Sequence, residues 1–145
     1  MTYCVDSDLV KYRPNILSLG VASWEDQREE AYALINRVIQ ARWYRKVAPE
    51  MGYDPNVTLF DPTQIRTGTL TRLECFKTLE LAYMLMMKDS PEADGFERNM
   101  KTFRDRYNEE LELILAVGID YDWSDSDSFD DDELYLRAPR RLVRG

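Results

Sequence analysis

Phe96, Met100, Phe103, Tyr107, Leu111 and Ile114 follow one another by four, three, four, four and three residues. That spacing keeps one face of an α-helix apolar for about five turns. The other face carries Glu97, Lys101, Arg104, Asp105, Arg106, Glu109, Glu110 and Glu112, and Glu97 with Lys101 supports the helix at i,i+4. An apolar stripe of this length requires cover, so the rest of the chain has to supply further helices against it. Asp94 stands as N-cap with Glu97 in the capping-box position, and Gly118 stands where a C′ glycine stops a helix.

Two other segments supply that layer. Residues 70–88 are amphipathic at first and apolar all round after Glu80. Cys75, Leu79, Ala82 and Met86 form one row and Phe76, Tyr83 and Met87 the next. Such a helix belongs inside a bundle or in a subunit interface, its three closely spaced methionines reading as core filler ahead of an adaptable contact surface. Ser23 caps a helix predicted from about Trp24 to about Val47, with Ala31, Leu34, Ile35, Val38 and Ile39 at helical spacing and Pro49 and Gly52 beyond its end. Arg42 continues the apolar row, its head reaching a carboxylate or solvent, or a neighbouring subunit. Asp6, Ser7 and Asp8 open a short N-terminal helix limited by Pro14. Residues 52–69 form the longest irregular stretch of this body, with two Asp-Pro turns and a briefly extended piece at Val57, Thr58, Leu59 and Phe60. They are either an ordinary crossover or a partner contact. The expected fold is all-α: a small helical bundle of three longer helices plus a short N-terminal helix, with an extended C-terminal arm.

Composition narrows the chemistry. At 145 residues and 44% hydrophobic, the chain is long enough for one domain with a real core. It contains no histidine, which removes His-paired nucleophiles, His-ligated zinc and the usual near-neutral proton shuttle. Cys4 and Cys75 form no metal-spaced motif and read as reduced thiols of a cytosolic product, Cys75 as core packing. The glycines stand singly, so no phosphate loop is present, and nothing locates a pocket that would tune a carboxylate pair. The longest apolar run, residues 81–87, is too short for a bilayer, which takes about 20 residues. The expectation is a soluble protein that is not an enzyme, with no cofactor, no catalytic residue and no committed metal ligand.

The C-terminal end changes character twice. Residues 1–118 are the helical domain. Residues 119–133 are an acidic linker, in which eight carboxylates and no cation lie between Asp120 and Glu133. Residues 134–145 are an apolar-basic arm, where Leu134, Tyr135, Leu136, Leu142 and Val143 alternate with Arg137, Arg140, Arg141 and Arg144. The formal charge of −8 puts −8 in the linker and +4 in the arm, leaving about −4 on the body, a poor match for nucleic acid. The linker reads as a self-repelling, solvated spacer. With Asp122 at position 1 of a calcium loop, Ser124, Ser126, Asp130 and Glu133 fall at positions 3, 5, 9 and 12, and Phe129 at position 8. Asp127 stands at position 6, where glycine makes the turn, and serines replace carboxylates or amides at 3 and 5. The arm has the chemistry of a docking peptide: apolar anchors, arginine forks for carboxylates, and Pro139 to limit conformational freedom. The docking residues are therefore Leu134, Tyr135, Leu136, Arg137, Arg140, Arg141, Leu142, Val143 and Arg144.

The opening Thr2-Tyr-Cys-Val-Asp-Ser-Asp-Leu-Val, the segment from Asp94-Gly-Phe-Glu-Arg to Ile114-Leu, and the close Gly118-Ile-Asp-Tyr-Asp-Trp with Arg141-Leu-Val-Arg resemble the head-tail connector (adaptor) proteins of tailed bacteriophages. The likeness implies a virion protein of the neck, present in host cytoplasm during assembly. It would form a homo-oligomeric ring, usually of twelve subunits, beneath the portal protein. The arm would dock on the portal, downstream neck or tail proteins would bind the far side, and DNA would pass through without specific binding. Two other readings compete: a monomeric helical regulatory module with a degenerate calcium-loop switch, and an acidic DNA-mimic inhibitor. Ring symmetry, the channel-lining helix and the tail-side partner are not encoded in any readable feature.

Overall fold

The computed structural model describes residues 1–88 and 93–139. The fold is all-α, with three longer helices and a short N-terminal one. They are α1 (Asp6–Val10), α2 (Glu25–Ile39), α3 (Thr71–Met87) and α4 (Ala93–Val117). The chain divides into two compact units, Met1–Ile35 with Leu70–Leu111, and Asn36–Thr69 with Glu112–Gly145.

In the first unit the predicted stripe of α4 is inside: Met100, Phe103, Tyr107 and Leu111 are buried and Phe96 half-buried. Phe103 stacks on Tyr83 of α3 at 6.0 Å between ring centres, and the Arg13 guanidinium lies over the Phe103 ring, 4.9 Å from its centre. Arg13 is held there by bonds from Nε and Nη2 to Asn99 Oδ1. α2 begins at Glu25, one residue later than predicted, so Trp24, whose carbonyl accepts the Arg28 N–H, takes the cap position. Ser23 stands just outside it, its Oγ accepting from the Glu25 N–H and donating to Asp6. Asp6 takes the Trp24 N–H and the Arg28 guanidinium as well. Burial opposes the Asp6 charge, but those donors outweigh it and hold the carboxyl below its ordinary value. Asp94 lies inside the first turn of α4 rather than at its cap, because the helix begins at Ala93. The apolar end of α3 is less enclosed than its composition suggests: Met84 is 44% and Leu85 45% exposed, and Met86 and Met87 are half-buried, so these methionines are not core filler.

In the second unit the helical path of α2 continues through a π-helical turn (Gln40–Tyr44) and a last α-turn (Arg45–Val47), ending where Pro49 predicted. Trp43 and Tyr44, carried by that π-turn, are fully buried. They pack with Tyr121 and Trp123, and Tyr53 stacks on Trp123 with ring centres 5.0 Å apart. Arg42 reaches Glu112 at 2.8 Å on a half-exposed surface, an ion pair within the chain. Val57 and Thr58 close a turn on the Asp54 carbonyl instead of extending, leaving Val57 and Leu59 strongly exposed. Among the described residues no helix is long and apolar enough to cross a membrane.

Candidate functional site

The acidic segment is not a spacer. Asp122 and Glu133 are 5% and 3% exposed, and the chain between them is folded around their carboxylates. Asp122 Oδ1 accepts the Ser126 N–H at 3.1 Å and Oδ2 the Asp127 N–H at 2.9 Å. Glu133 Oε2 accepts the Ser124 N–H and Oε1 the Asp130 N–H, each at 3.0 Å. The Ser124 hydroxyl lies between the two carboxylates, 3.3 Å from Asp122 Oδ1 and 3.4 Å from Glu133 Oε2. Backbone amides thus take the place of the cations that this stretch lacks, which explains why mutual repulsion does not extend it. Burial opposes charge on Asp122, yet the Ser126 and Asp127 amides and the serine hydroxyls prevail and keep its carboxyl below the ordinary range. Asp130 goes the other way: the Glu133 charge, then burial and Asp132, raise it.

The position that departed from the calcium-loop pattern adopts that pattern's backbone. Asp127 has φ +60°, the left-handed conformation that glycine supplies at position 6. Asp125 also lies in this region, at φ +53°. Aspartate tolerates it better than most residues, so the loop turns without a glycine. The carboxylates fall into two groups, Asp122 with Asp125 and Asp127, and Asp130 with Asp132 and Glu133, the oxygens of each within 4.8 Å of one another. In the sequence frame Asp122, Ser124, Ser126, Asp130 and Glu133 are the residues that could hold a hard cation.

The loop is tied down at both ends. Asp122 donates its N–H to the Gln64 carbonyl, and Arg66 pairs with Asp120 at 2.8 Å while its guanidinium lies 4.6 Å over Phe129. Tyr121 N–H reaches the Glu133 carbonyl, and Tyr121 hydroxyl oxygen accepts the Asp61 N–H. After the loop, Ile119 and Leu136 exchange both backbone hydrogen bonds, at 2.9 and 3.0 Å. The Trp43 indole N–H donates to the same Leu136 carbonyl at 2.7 Å. Gly118, which ends α4 as predicted, has φ +101°, and a Cβ there would stand 2.3 Å from the Tyr135 carbonyl oxygen. Only glycine lets the returning chain cross so closely.

This clasp divides the predicted docking residues. Leu136 is pinned and half-buried and Leu134 is half-buried, so they belong to the folded unit. Tyr135 (63% exposed) and Arg137 face outward. Arg140, Arg141, Leu142, Val143 and Arg144 lie outside the described residues. Arg42, the one cation of this run that its place on the apolar row marks in the sequence, is exposed together with Arg37, Arg45 and Lys46, and no carboxylate intervenes between Arg37 and Lys46. The missing carboxylates were the available signal. No protein-family model, curated protein or solved structure matches the chain.

Proposed function

We propose that the chain is a structural head-tail connector. In this role it assembles as a ring, most simply a dodecamer, under a portal protein, contacts neck or tail proteins on the other side and leaves a passage for DNA. The observation that carries the reading is the clasp at Leu136: it fixes one exit point, beyond which the sequence is a compact set of arginines with leucine and valine anchors. A short peptide held at a defined exit loses little freedom in reaching a partner, and many copies on one ring act together. The family resemblance of the sequence points the same way, and the net charge of −8 suits a passage to which DNA does not adhere. Mixing the full chain with the portal ring of the same virus tests it. Mass photometry should show whole-ring complexes, lost on reversing Arg140, Arg141 and Arg144 to glutamate. Unchanged complexes would remove the arm from the contact, and no complex at all would contradict the connector reading.

A calcium-responsive helical module is the second reading, favoured by the left-handed Asp127 at loop position 6. It requires millimolar calcium to raise the melting temperature of the chain, and Glu133→Gln to abolish that shift. Equal melting curves with calcium and with chelator would dismiss it.

A further inference from the structure

Two exposed charge clusters of opposite sign stand in the second unit, neither making an ion pair among the described residues. Arg37, Arg45 and Lys46 project from the end of α2 and the turns that continue it, and none makes an ion pair among the described residues. Arg42 beside them is engaged by Glu112. Asp125, Asp127, Asp130, Asp131 and Asp132 are exposed on the loop, and none of them pairs with a cation among the described residues. Crowding of the loop carboxylates carries a cost that an external cation would relieve.

We propose that the basic face formed by Arg37, Arg45 and Lys46 docks the acidic loop of a second copy of this chain. The two surfaces are complementary in charge. Both are also presented by fixed backbone, a helical run and a loop held internally by Asp122 and Glu133, so little freedom is lost on contact. Where the reciprocal pair of the same two copies is left free, the contact is heterologous and propagates in one direction, closing into a ring where the rotation permits, whereas a reciprocal contact would stop at a dimer. A polyanion such as DNA is the poorer occupant: three unpaired cations on a chain of net charge −8 give a weak phosphate surface. This inference rests on the ring reading and assigns its subunit contact.

The test uses full-length chain, half of it labelled with nitrogen-15, treated at low salt with a zero-length carbodiimide. Isotopically mixed cross-links joining Lys46 to Asp125, Asp127, Asp130, Asp131 or Asp132 are expected. The exposed double variant Arg37→Glu/Arg45→Glu should self-associate at least about tenfold more weakly, since like charges would then face each other. Mixing it with Asp131→Lys/Asp132→Lys should restore association, which controls for misfolding. Purely intrachain cross-links, or none at any concentration, would overturn the proposal. If the double variant assembles as well as the parent, this interface falls while the ring reading stands. Short duplex DNA captured by the basic face without self cross-links would assign that face to nucleic acid instead. Portal binding by a chain that fails all these assays would leave the connector reading intact, so the two failures are separable.

Discussion

Glu74 in the first unit is completely buried on α3: Oε2 accepts the Cys4 N–H, while Oε1 and the Thr78 hydroxyl one turn along have no hydrogen-bond partner among the described residues. Glu133 in the second unit is equally buried, and both of its oxygens accept backbone amides. Burial raises the Glu74 carboxyl above its ordinary value, against the pull of the Cys4 and Tyr3 amides and the Arg28 charge. One unit therefore carries a buried acid as a cost within a helical core. The other uses buried acids as the framework of a loop. A carboxylate organises a chain when enough donors converge on it, and burdens the chain when they do not.

The strongest way to break the second framework is at its crossing point. Gly118→Ala should lower stability by at least about 3 kcal/mol, combining a left-handed backbone with a clash against the Tyr135 carbonyl. Urea unfolding followed by tryptophan emission measures it, and a loss below about 1 kcal/mol would mean the clasp is not tight. Glu133→Ala strands the Ser124 and Asp130 amides and should cost about 2–3 kcal/mol by the same assay. Trp43→Phe removes the donor to Leu136 and leaves a smaller ring at a fully buried site, so about 2 kcal/mol should be lost, with faster proteolysis after Arg137. Trypsin resistance equal to the parent's would show the clasp holding without the indole.

The first unit should answer differently. Glu74→Gln removes a buried charge while retaining an acceptor, so at neutral pH it should leave stability unchanged or raise it by up to about 1 kcal/mol. The sign with pH follows from the raised carboxyl. Folding favours its protonated form, so the parent gains stability relative to the variant as pH falls through the folded value, and the advantage of glutamine shrinks. Asp6 and Asp122, held low, act oppositely: their contribution is present above the ordinary aspartate range and is lost as pH falls through it to their folded values. Thermal melts of parent and Glu74→Gln between pH 4 and 8 check this, and a difference that widens on acidification would contradict it.

The helices were legible because their information is local: the stripe from Phe96 to Ile114 names its own face, and Ser23 marks the start of α2 to within one residue. Arg42 was legible as far as its exposed head, but its partner, Glu112, lies 70 residues further on and carries no sequence mark. The acidic loop was misread as extended because charge counting ignores backbone donors, and the Ser126 and Asp127 amides that hold Asp122 appear in no composition. The calcium-loop frame located the right residues, while its glycine rule overlooked that aspartate can also turn left-handed. The clasp joins Trp43 to Leu136 across 93 residues, a pairing that only the fold creates. For that reason Leu134, Tyr135 and Leu136 read as the start of the arm, whereas the bonds to Ile119 and Trp43 hold Leu136 in the folded unit.

The central claim is best tested by mass photometry of the portal ring with the full chain and with the chain ended after Pro139, which keeps the Leu136 clasp intact. The connector account predicts portal rings fully decorated by the full chain and bare in the presence of the shortened one. Equal decoration by both would remove the arm from the contact, and none by either would contradict the connector account.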